Sequence, residues 1–388
     1  MPEARVGYPS SEELMARSRQ ETGLFDFGGE SFREGLERFL DSMARDADLT
    51  PEGADQLLGT IVSRLKNRLE IEDWYRTHPE IEDLPIESPV CITGLPRTGT
   101  SALSSMLSLE PSFRCLRVWE LEKACPPPTL ETELEDPRRL AMARQMELMR
   151  TEHPEQMAMH LYELDSTSED PSLIGLEFKA QTCTAPTFGY HAWWRDCDMR
   201  PAYTYQRRVA KLLQSRRPPN RWLFKAPHYV FHLEALLDAY PDARLIVLHR
   251  DPVKAIPSWV SLITSLYPPG SMLRIDTGRV GRHLSQHQAI GMRRAIDARA
   301  RIGQDRFLDI HHRQLDADPL GTVERVYDFI GLELSSDVRN SIAAWSDVNR
   351  SGAHGVHRYK PEQFGLTARG LRADFDFYTR EYDVPLEA

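Results

Sequence analysis

The sequence lacks several features that mark common functional classes. Acidic residues outnumber basic ones, 58 against 48, so the formal net charge of −10 offers no general attraction for nucleic acid. The five cysteines form no C-x-x-C pair, and their spacing indicates neither a metal site nor a disulfide framework. No apolar run is long enough to cross a bilayer. We therefore expect a reduced protein without nucleic acid as a partner, in which any anion site is local.

Signals for targeting and repetition are also missing. The first residues, Met1–Arg5, contain no apolar signal segment, and the chain has neither an internal repeat nor a low-complexity tract. We expect a cytoplasmic protein with an N-terminal helical extension (residues 1–85) and one α/β domain (residues 86–388). Within the extension, apolar residues recur every three or four positions in Phe32–Ala44 and Ala54–Tyr75, which predicts helices. The sequence does not indicate an oligomeric state.

The most informative segment is Pro89–Ser101, which reads PVCITGLPRTGTS. It predicts a buried strand, a tight loop bounded by Gly94 and Gly99, and a helix that begins at Thr100. Such a loop directs backbone N–H groups and the positive end of the helix dipole to one point, where a phosphate or sulfate can bind. A purely steric role for the glycines is the alternative. The coincidence of glycines, a cation and hydroxyl groups favours the anion site.

One residue expected in a phosphate loop is absent. Gly94, Gly99 and Ser101 match the pattern G-x-x-x-x-G-K-[ST], but Thr100 occupies the lysine position. The cation of the loop is instead Arg97, which lies inside it. This departure argues against an ordinary ATPase.

Downstream, short apolar segments alternate with helical ones. The predicted strands are Arg221–Lys225, Ala243–His249 and Arg306–Ile310, and the predicted helices are Val230–Tyr240, Pro252 to about Leu266, and Pro319–Ile330. This alternation predicts a P-loop-like central parallel sheet with helices on both faces. Ligands of such sheets lie at the carboxyl ends of the strands. Four residues fall just past the predicted strand ends: Arg97, His228, Arg250 and His312.

Taken singly, these residues have simpler interpretations. Arg250 is an anion ligand, a cap of its strand or the partner of its neighbour Asp251. Ser258, eight positions later, is an ordinary helix serine if it stands alone. Most of the thirteen histidines must be incidental. The aromatic segment Phe188–Trp194 is interpreted first as core packing, with a ligand pocket as the alternative.

Together, the motifs resemble the sulfotransferases that use 3′-phosphoadenosine 5′-phosphosulfate (PAPS), particularly the bacterial branch with a G-x-P-R-[ST]-G-T-[ST] loop. The resemblance covers about residues 89–332, with a weaker match at His357–Tyr359 and Phe364–Leu366. Two departures stand out. Arg97 replaces the lysine of many eukaryotic members, and the turn Lys225–His228 is one residue longer than the usual lysine-x-histidine.

The resemblance implies roles for particular residues. Those of the 5′-phosphosulfate loop are Gly94, Pro96, Arg97, Thr98, Gly99, Thr100 and Ser101. Arg250 and Ser258 resemble the 3′-phosphate motif, and His312 falls where the family often has a tyrosine near the nucleotide. The implied catalytic residues are Arg97, Lys225 and His228, the last as general base. His160 and Glu163 are competing candidates for the base.

The implied reaction moves a sulfuryl group from PAPS to a hydroxyl of a small or lipid-like acceptor, with PAP (adenosine 3′,5′-bisphosphate) as the product and no metal. The aromatic segment and the loop Tyr267–Gly270 suggest an apolar acceptor. The alternatives are a P-loop-type small-molecule kinase, which needs ATP and magnesium, and a catalytically silent nucleotide-binding protein.

Overall fold

The computed structural model describes residues 8–120, 123–152, 164–181, 184–218, 220–349 and 359–387. The strands are β1 (Val90–Gly94), β2 (Phe113–Cys115), β3 (Arg221–Lys225), β4 (Arg244–His249) and β5 (Phe307–His311). The helices are α1 (Ser11–Thr22), α2 (Phe32–Asp46), α3 (Pro51–Thr77), α4 (Thr100–Leu107), α5 (Pro137–Glu152), α6 (Pro171–Ile174), α7 (Phe188–Trp194), α8 (Arg200–Gln214), α9 (Leu233–Ala239), α10 (Pro252–Ser265), α11 (Thr277–Ile302), α12 (His312–Ala317), α13 (Pro319–Ile330), α14 (Ser336–Val348), α15 (Ala368–Asp374) and α16 (Asp376–Glu381).

The strands form one parallel sheet in the order β2-β3-β1-β4-β5. The strand that carries the predicted anion loop, β1, is therefore central, with β3 on one side and β4 on the other. Because the strands are parallel, their carboxyl ends meet at one edge. The prediction that the carboxyl ends of the strands lie along one edge of the sheet is confirmed.

Helices cover both faces of the sheet, as predicted. Alternate side chains of β1 enter different cores: Val90 and Ile92 pack on the side of α4, α13 and α14, whereas Cys91 packs on the opposite side. The second core is the larger one and includes α8, α10, α11 and the N-terminal helices. Side chains buried on both faces explain why the strands read as nearly continuous apolar runs.

The N-terminal segment is helical, and local sequence signals begin its helices. The Ser10 hydroxyl caps α1 in a capping box with Glu13, and the Thr50 hydroxyl caps α3 just before Pro51. A buried ion pair between Arg68 of α3 and Glu177, 2.6 Å apart, ties this region to the main fold. The division of the chain at residues 85 and 86 stays a prediction.

Two parts of the fold differ from expectation. The predicted helix Val230–Tyr240 is wrong at its start: a 3-10 turn, Pro227–Phe231, precedes α9. His228 and the next three side chains are all buried, which one face of an amphipathic helix cannot provide. The short edge strand β2 was not predicted. None of the helices within the described ranges is long and apolar enough to cross a membrane.

Candidate active site

Backbone geometry shapes the loop between β1 and α4. Gly94 has φ 135°, and a Cβ atom on it would lie 2.3 Å from the carbonyl oxygen of Leu248 on β4. Gly99, with φ 96°, precedes α4, and within the described part of the chain no side chain caps that helix. The N–H groups of its first turn therefore remain open to a ligand. The Thr98 hydroxyl donates to the carbonyl of Leu95 at 2.8 Å, which holds the loop together from inside.

Arg97 links the loop to the second predicted motif. Its φ of 65° lies in the left-handed region, which is uncommon for a residue other than glycine and marks strained sites. Arg97 Nε donates to Ser258 Oγ at 3.1 Å, and its carbonyl accepts from Arg250 Nη1 at 3.2 Å. Burial, together with the smaller effect of the Arg250 charge, lowers the pKa of Arg97. Two segments far apart in sequence thus meet at one point.

Lys225 approaches the loop from the end of β3. The side chain is buried, and its Nζ donates to Ser101 Oγ at 3.1 Å on the first turn of α4. The same Nζ lies 3.6 Å from Oε1 of Glu169. A buried ammonium, a hydroxyl and a carboxylate are therefore adjacent at the start of the helix.

Two acidic residues of this site, Glu169 and Asp170, were not predicted. Asp170 Oδ2 accepts from the Lys225 backbone N–H and from the Tyr229 hydroxyl, each at 2.6 Å. Burial raises the pKa of Asp170 to about 8, so the acid form is substantially populated near neutral pH. Asp170 thus fixes the end of β3. Neither residue belongs to a motif recognised in the sequence, so no sequence signal assigned them to the site.

His228 lies in the 3-10 turn after β3 and is only 3% exposed. Its ring meets Trp194 edge to face at 6.0 Å, and its Nε2 has no hydrogen-bond partner among the described residues. Burial lowers the pKa of His228 to about 3, so the imidazole is neutral at neutral pH. His160 and Glu163, the competing candidates, lie outside the described residues, as does His357.

Arg250 does not pair with Asp251, so that simpler interpretation is wrong. Its Nε and Nη2 donate to the two carboxylate oxygens of Glu387 at 2.9 and 3.1 Å. Asp251 instead caps α10 by accepting from the N–H of Val253 at 2.9 Å. The planar guanidinium can form the same pair of hydrogen bonds with a carboxylate or with a phosphate.

A cavity of about 400 Å³ opens beside the loop. His312 lines it, and burial lowers the pKa of this histidine, with a smaller effect of the Arg250 charge in the same direction. The other lining residues include Gly99, Ala102, Met106, Leu315, Trp345 and Asn349. The cavity therefore places an aromatic ring and polar groups next to the anion loop.

The aromatic segment Phe188–Trp194 is mainly core, as first interpreted. Tyr190 and Trp194 are at most 1% exposed, and His191 is buried beside them. Among the described residues, no three histidine, cysteine, aspartate or glutamate side chains are grouped so that they could hold a metal ion.

Fold and loop together define the class of α/β proteins with a P-loop-like anion loop after a central strand. The sulfotransferase family model matches residues 89–336, which is more than half of the chain. The chain belongs to the sulfotransferase family, which confirms the predicted family.

Solved structures agree with this assignment. Sulfotransferase STF9 from Mycobacterium avium is 30% identical, with 99% of each chain covered and a TM-score of 0.89. Sulfotransferase STF1 from Mycobacterium tuberculosis is 28% identical over 95% of this chain and 98% of that one, with a TM-score of 0.84. The predicted fold class is confirmed.

A curated relative is matched over a shorter segment. The omega-hydroxy-beta-dihydromenaquinone-9 sulfotransferase Stf3 of Mycobacterium bovis is 26% identical over 115 residues. The match spans 28% of this chain and 28% of that relative.

Proposed function

We propose that the protein transfers the sulfuryl group of PAPS to a hydroxyl of a small or lipid-like acceptor. The observation that carries the proposal is the contact of Arg97 with both Ser258 and Arg250. It joins the loop proposed for the 5′-phosphosulfate to the motif proposed for the 3′-phosphate. A donor with phosphate groups at both ends needs such a pair of adjacent sites, and the family assignment supports the same reaction.

The proposed chemistry is an in-line displacement. The acceptor oxygen attacks sulfur, the bond from sulfur to the 5′-phosphate oxygen breaks, and PAP leaves with the charge that develops on that oxygen. By analogy with phosphoryl transfer, the protein supplies positioning and fixed positive charge. Arg97, Lys225 and the N–H groups of α4, with the hydroxyls of Thr100 and Ser101, are the groups proposed for this role. In this mechanism fixed cations do the work that Mg²⁺ does in an NTPase.

The 3′-phosphate and the adenine base of PAPS can also be assigned to parts of the site. We assign its 3′-phosphate to Arg250 and Ser258, because the guanidinium fork can hold two phosphate oxygens. The cavity lined by His312 and Trp345 adjoins the loop and can take the adenine base. An indole ring offers a stacking surface for any base.

The acceptor's proton needs a base. We keep His228 as the proposed base, because its buried Nε2 has no hydrogen-bond partner among the described residues. With a pKa of about 3 it accepts a proton only as the hydroxyl becomes acidic in the transition state. Glu169 is a second candidate, because its carboxylate lies beside Lys225 at the start of α4.

A lipid-like acceptor is the class we favour. The name of the curated relative Stf3 gives a hydroxylated menaquinone as the acceptor of that protein. Here the N-terminal helices pack in the same core as the sheet, and we propose that they help to close the acceptor pocket.

Calorimetric titration with PAP, AMP and ATP–Mg²⁺ tests the donor assignment. We expect PAP to bind more tightly than AMP, because charge-assisted hydrogen bonds contribute about 1.5–3 kcal/mol each. Arg250→Ala should weaken PAP binding by roughly ten- to a hundredfold, the range implied by the net loss of one such bond, while AMP affinity stays nearly constant. Equal losses for both nucleotides would show that Arg250 only supports the fold. Tighter binding of ATP–Mg²⁺ than of PAP would favour the kinase alternative, and PAP binding without turnover of any hydroxyl acceptor would favour the silent protein.

A further inference from the structure

The segment 383–387 lies against the proposed 3′-phosphate site. Glu387 accepts hydrogen bonds from Arg250 Nε and Nη2, and the third side-chain nitrogen, Nη1, donates to the Arg97 carbonyl. All the nitrogen atoms of this guanidinium are therefore engaged. The two side chains are 25% and 22% exposed, so their interaction is only partly screened by solvent.

The surroundings of Glu387 are those expected for an anion. Burial alone would raise its pKa, yet the hydrogen bonds and charge of Arg250, with smaller effects of His312 and Lys254, bring the pKa of Glu387 below its ordinary value. The carboxylate thus lies among the cations and the histidine that flank the proposed 3′-phosphate position. It engages the Arg250 Nε and Nη2 atoms that were proposed above as donors to the 3′-phosphate.

Two hydrogen bonds donated by backbone N–H groups anchor the segment. Val384 is buried, and its N–H donates to the Thr379 carbonyl at 2.9 Å. The N–H of Glu387 donates to Asp251 Oδ2 at 2.8 Å, and two residues separate the two anchors. Glu387 is therefore held near Arg250 at high local concentration, yet its side chain can leave by rotation without unfolding the segment.

We propose that Glu387 is an internal competitor of the donor's 3′-phosphate: it occupies Arg250 in the free protein, and PAPS or PAP must displace it. The inference rests on the proposed function. A competitor that fills the site in nine of ten molecules lowers the apparent affinity about tenfold. A nucleotide without a 3′-phosphate does not need Arg250 and is not affected. The contact would thus weaken retention of the product PAP.

The test is Glu387→Gln, which keeps the shape of the side chain and removes its charge. Glu381→Gln, on an exposed position of α16, is the matched control. Affinities for PAP and AMP are measured by calorimetry on wild type and both variants. We expect Glu387→Gln to bind PAP about tenfold more tightly, with AMP within about twofold of wild type, and Glu381→Gln to match wild type for both.

The other outcomes separate this inference from the proposed function. If wild type prefers PAP to AMP but Glu387→Gln leaves PAP affinity unchanged, the proposal that Glu387 competes with the 3′-phosphate is refuted, and the donor assignment stands. Weaker PAP binding in Glu387→Gln would also overturn the proposed competition, since the carboxylate would then orient Arg250 for the phosphate. If neither wild type nor variant prefers PAP to AMP, the donor assignment fails, and this inference fails with it.

Discussion

At the scale of single residues, Arg97 combines strain with charge. Its backbone is in the left-handed conformation, its side chain donates a hydrogen bond to Ser258, and its carbonyl oxygen accepts one from Arg250. Because the Arg97 carbonyl accepts a hydrogen bond from the Arg250 guanidinium, the backbone conformation of Arg97 also helps to position Arg250. Replacing Arg97 therefore removes a charge from the loop and disturbs the second motif.

We expect Arg97→Ala to lower kcat by about 10²–10³, because one preorganised group that stabilises developing charge typically contributes that factor. Acceptor KM should change much less. Steady-state kinetics at saturating PAPS check this. Arg380→Ala, at a position whose side chain is 79% exposed, is the control and should behave like wild type. Wild-type turnover by Arg97→Ala would rule out its proposed role.

Substitution of single residues also tests which side chain is the general base. Loss of a general base typically costs 10²–10⁴ in rate, so His228→Ala should lose most of its turnover and keep its affinity for PAP. Parallel measurements on Glu169→Gln, His160→Ala and Glu163→Ala compare the other candidates. If Glu169→Gln is inactive and His228→Ala turns over normally, the carboxylate beside Lys225 is the base.

Among the secondary-structure elements, the strands of five or six residues were predictable, whereas the three-residue strand and the 3-10 turn after β3 were not. β1, β3, β4 and β5 follow from apolar runs bounded by turns. The strand β2 has only three residues, too few for a pattern. The 3-10 turn at Pro227–Phe231 has no polar face, so periodicity could not define it.

The same limit applies to the site. Strand-end position and loop spacing pointed to Arg97 and Arg250, because these signals are local, and the family resemblance added Lys225. Glu169, Asp170 and Glu387 come from segments without a motif, and only the tertiary fold brings them to the cations. Their roles depend on distance rather than on order along the chain.

The helix α14 carries Trp345 to the cavity beside the loop. Stacking of a base on an aromatic side chain is worth about 1–3 kcal/mol by alanine substitution. We therefore expect Trp345→Ala to weaken PAP and AMP binding equally, by roughly five- to a hundredfold. The contrast with Arg250→Ala, which should affect PAP alone, is the internal control. A loss confined to PAP would place the base elsewhere.

For the whole molecule, buried and half-buried histidines between α7, α11 and the 3-10 turn make stability sensitive to pH. Burial lowers the pKa of His228 to about 3 and the pKa values of His232 and His283 to about 4. In the unfolded chain each titrates near 6.5. Between pH 6.5 and 4 the unfolded state therefore binds more protons at these sites, and stability falls as the pH falls.

Asp170 acts in the opposite sense. Its pKa is raised to about 8, above the unfolded value near 3.9, so in this window the folded state holds a proton that the unfolded state releases. The three histidines outnumber this aspartate by two, and burial also lowers the pKa values of His249, His287, His311 and His312. Each proton is worth about 1.4 kcal/mol per pH unit, so the free energy of unfolding should drop by at least roughly 3 kcal/mol per unit around pH 5.

Urea unfolding from pH 4.5 to 6.5 measures this slope. His232→Gln removes one titrating group without touching the proposed donor site, and we expect it to reduce the slope by about one proton, or 1.4 kcal/mol per pH unit. Asp170→Asn should steepen the slope by a similar amount, because it removes the group that opposes the histidines. The two variants thus shift the slope in opposite directions, which a general loss of stability cannot do. An unchanged slope in both would mean that these groups titrate alike in the folded and unfolded states.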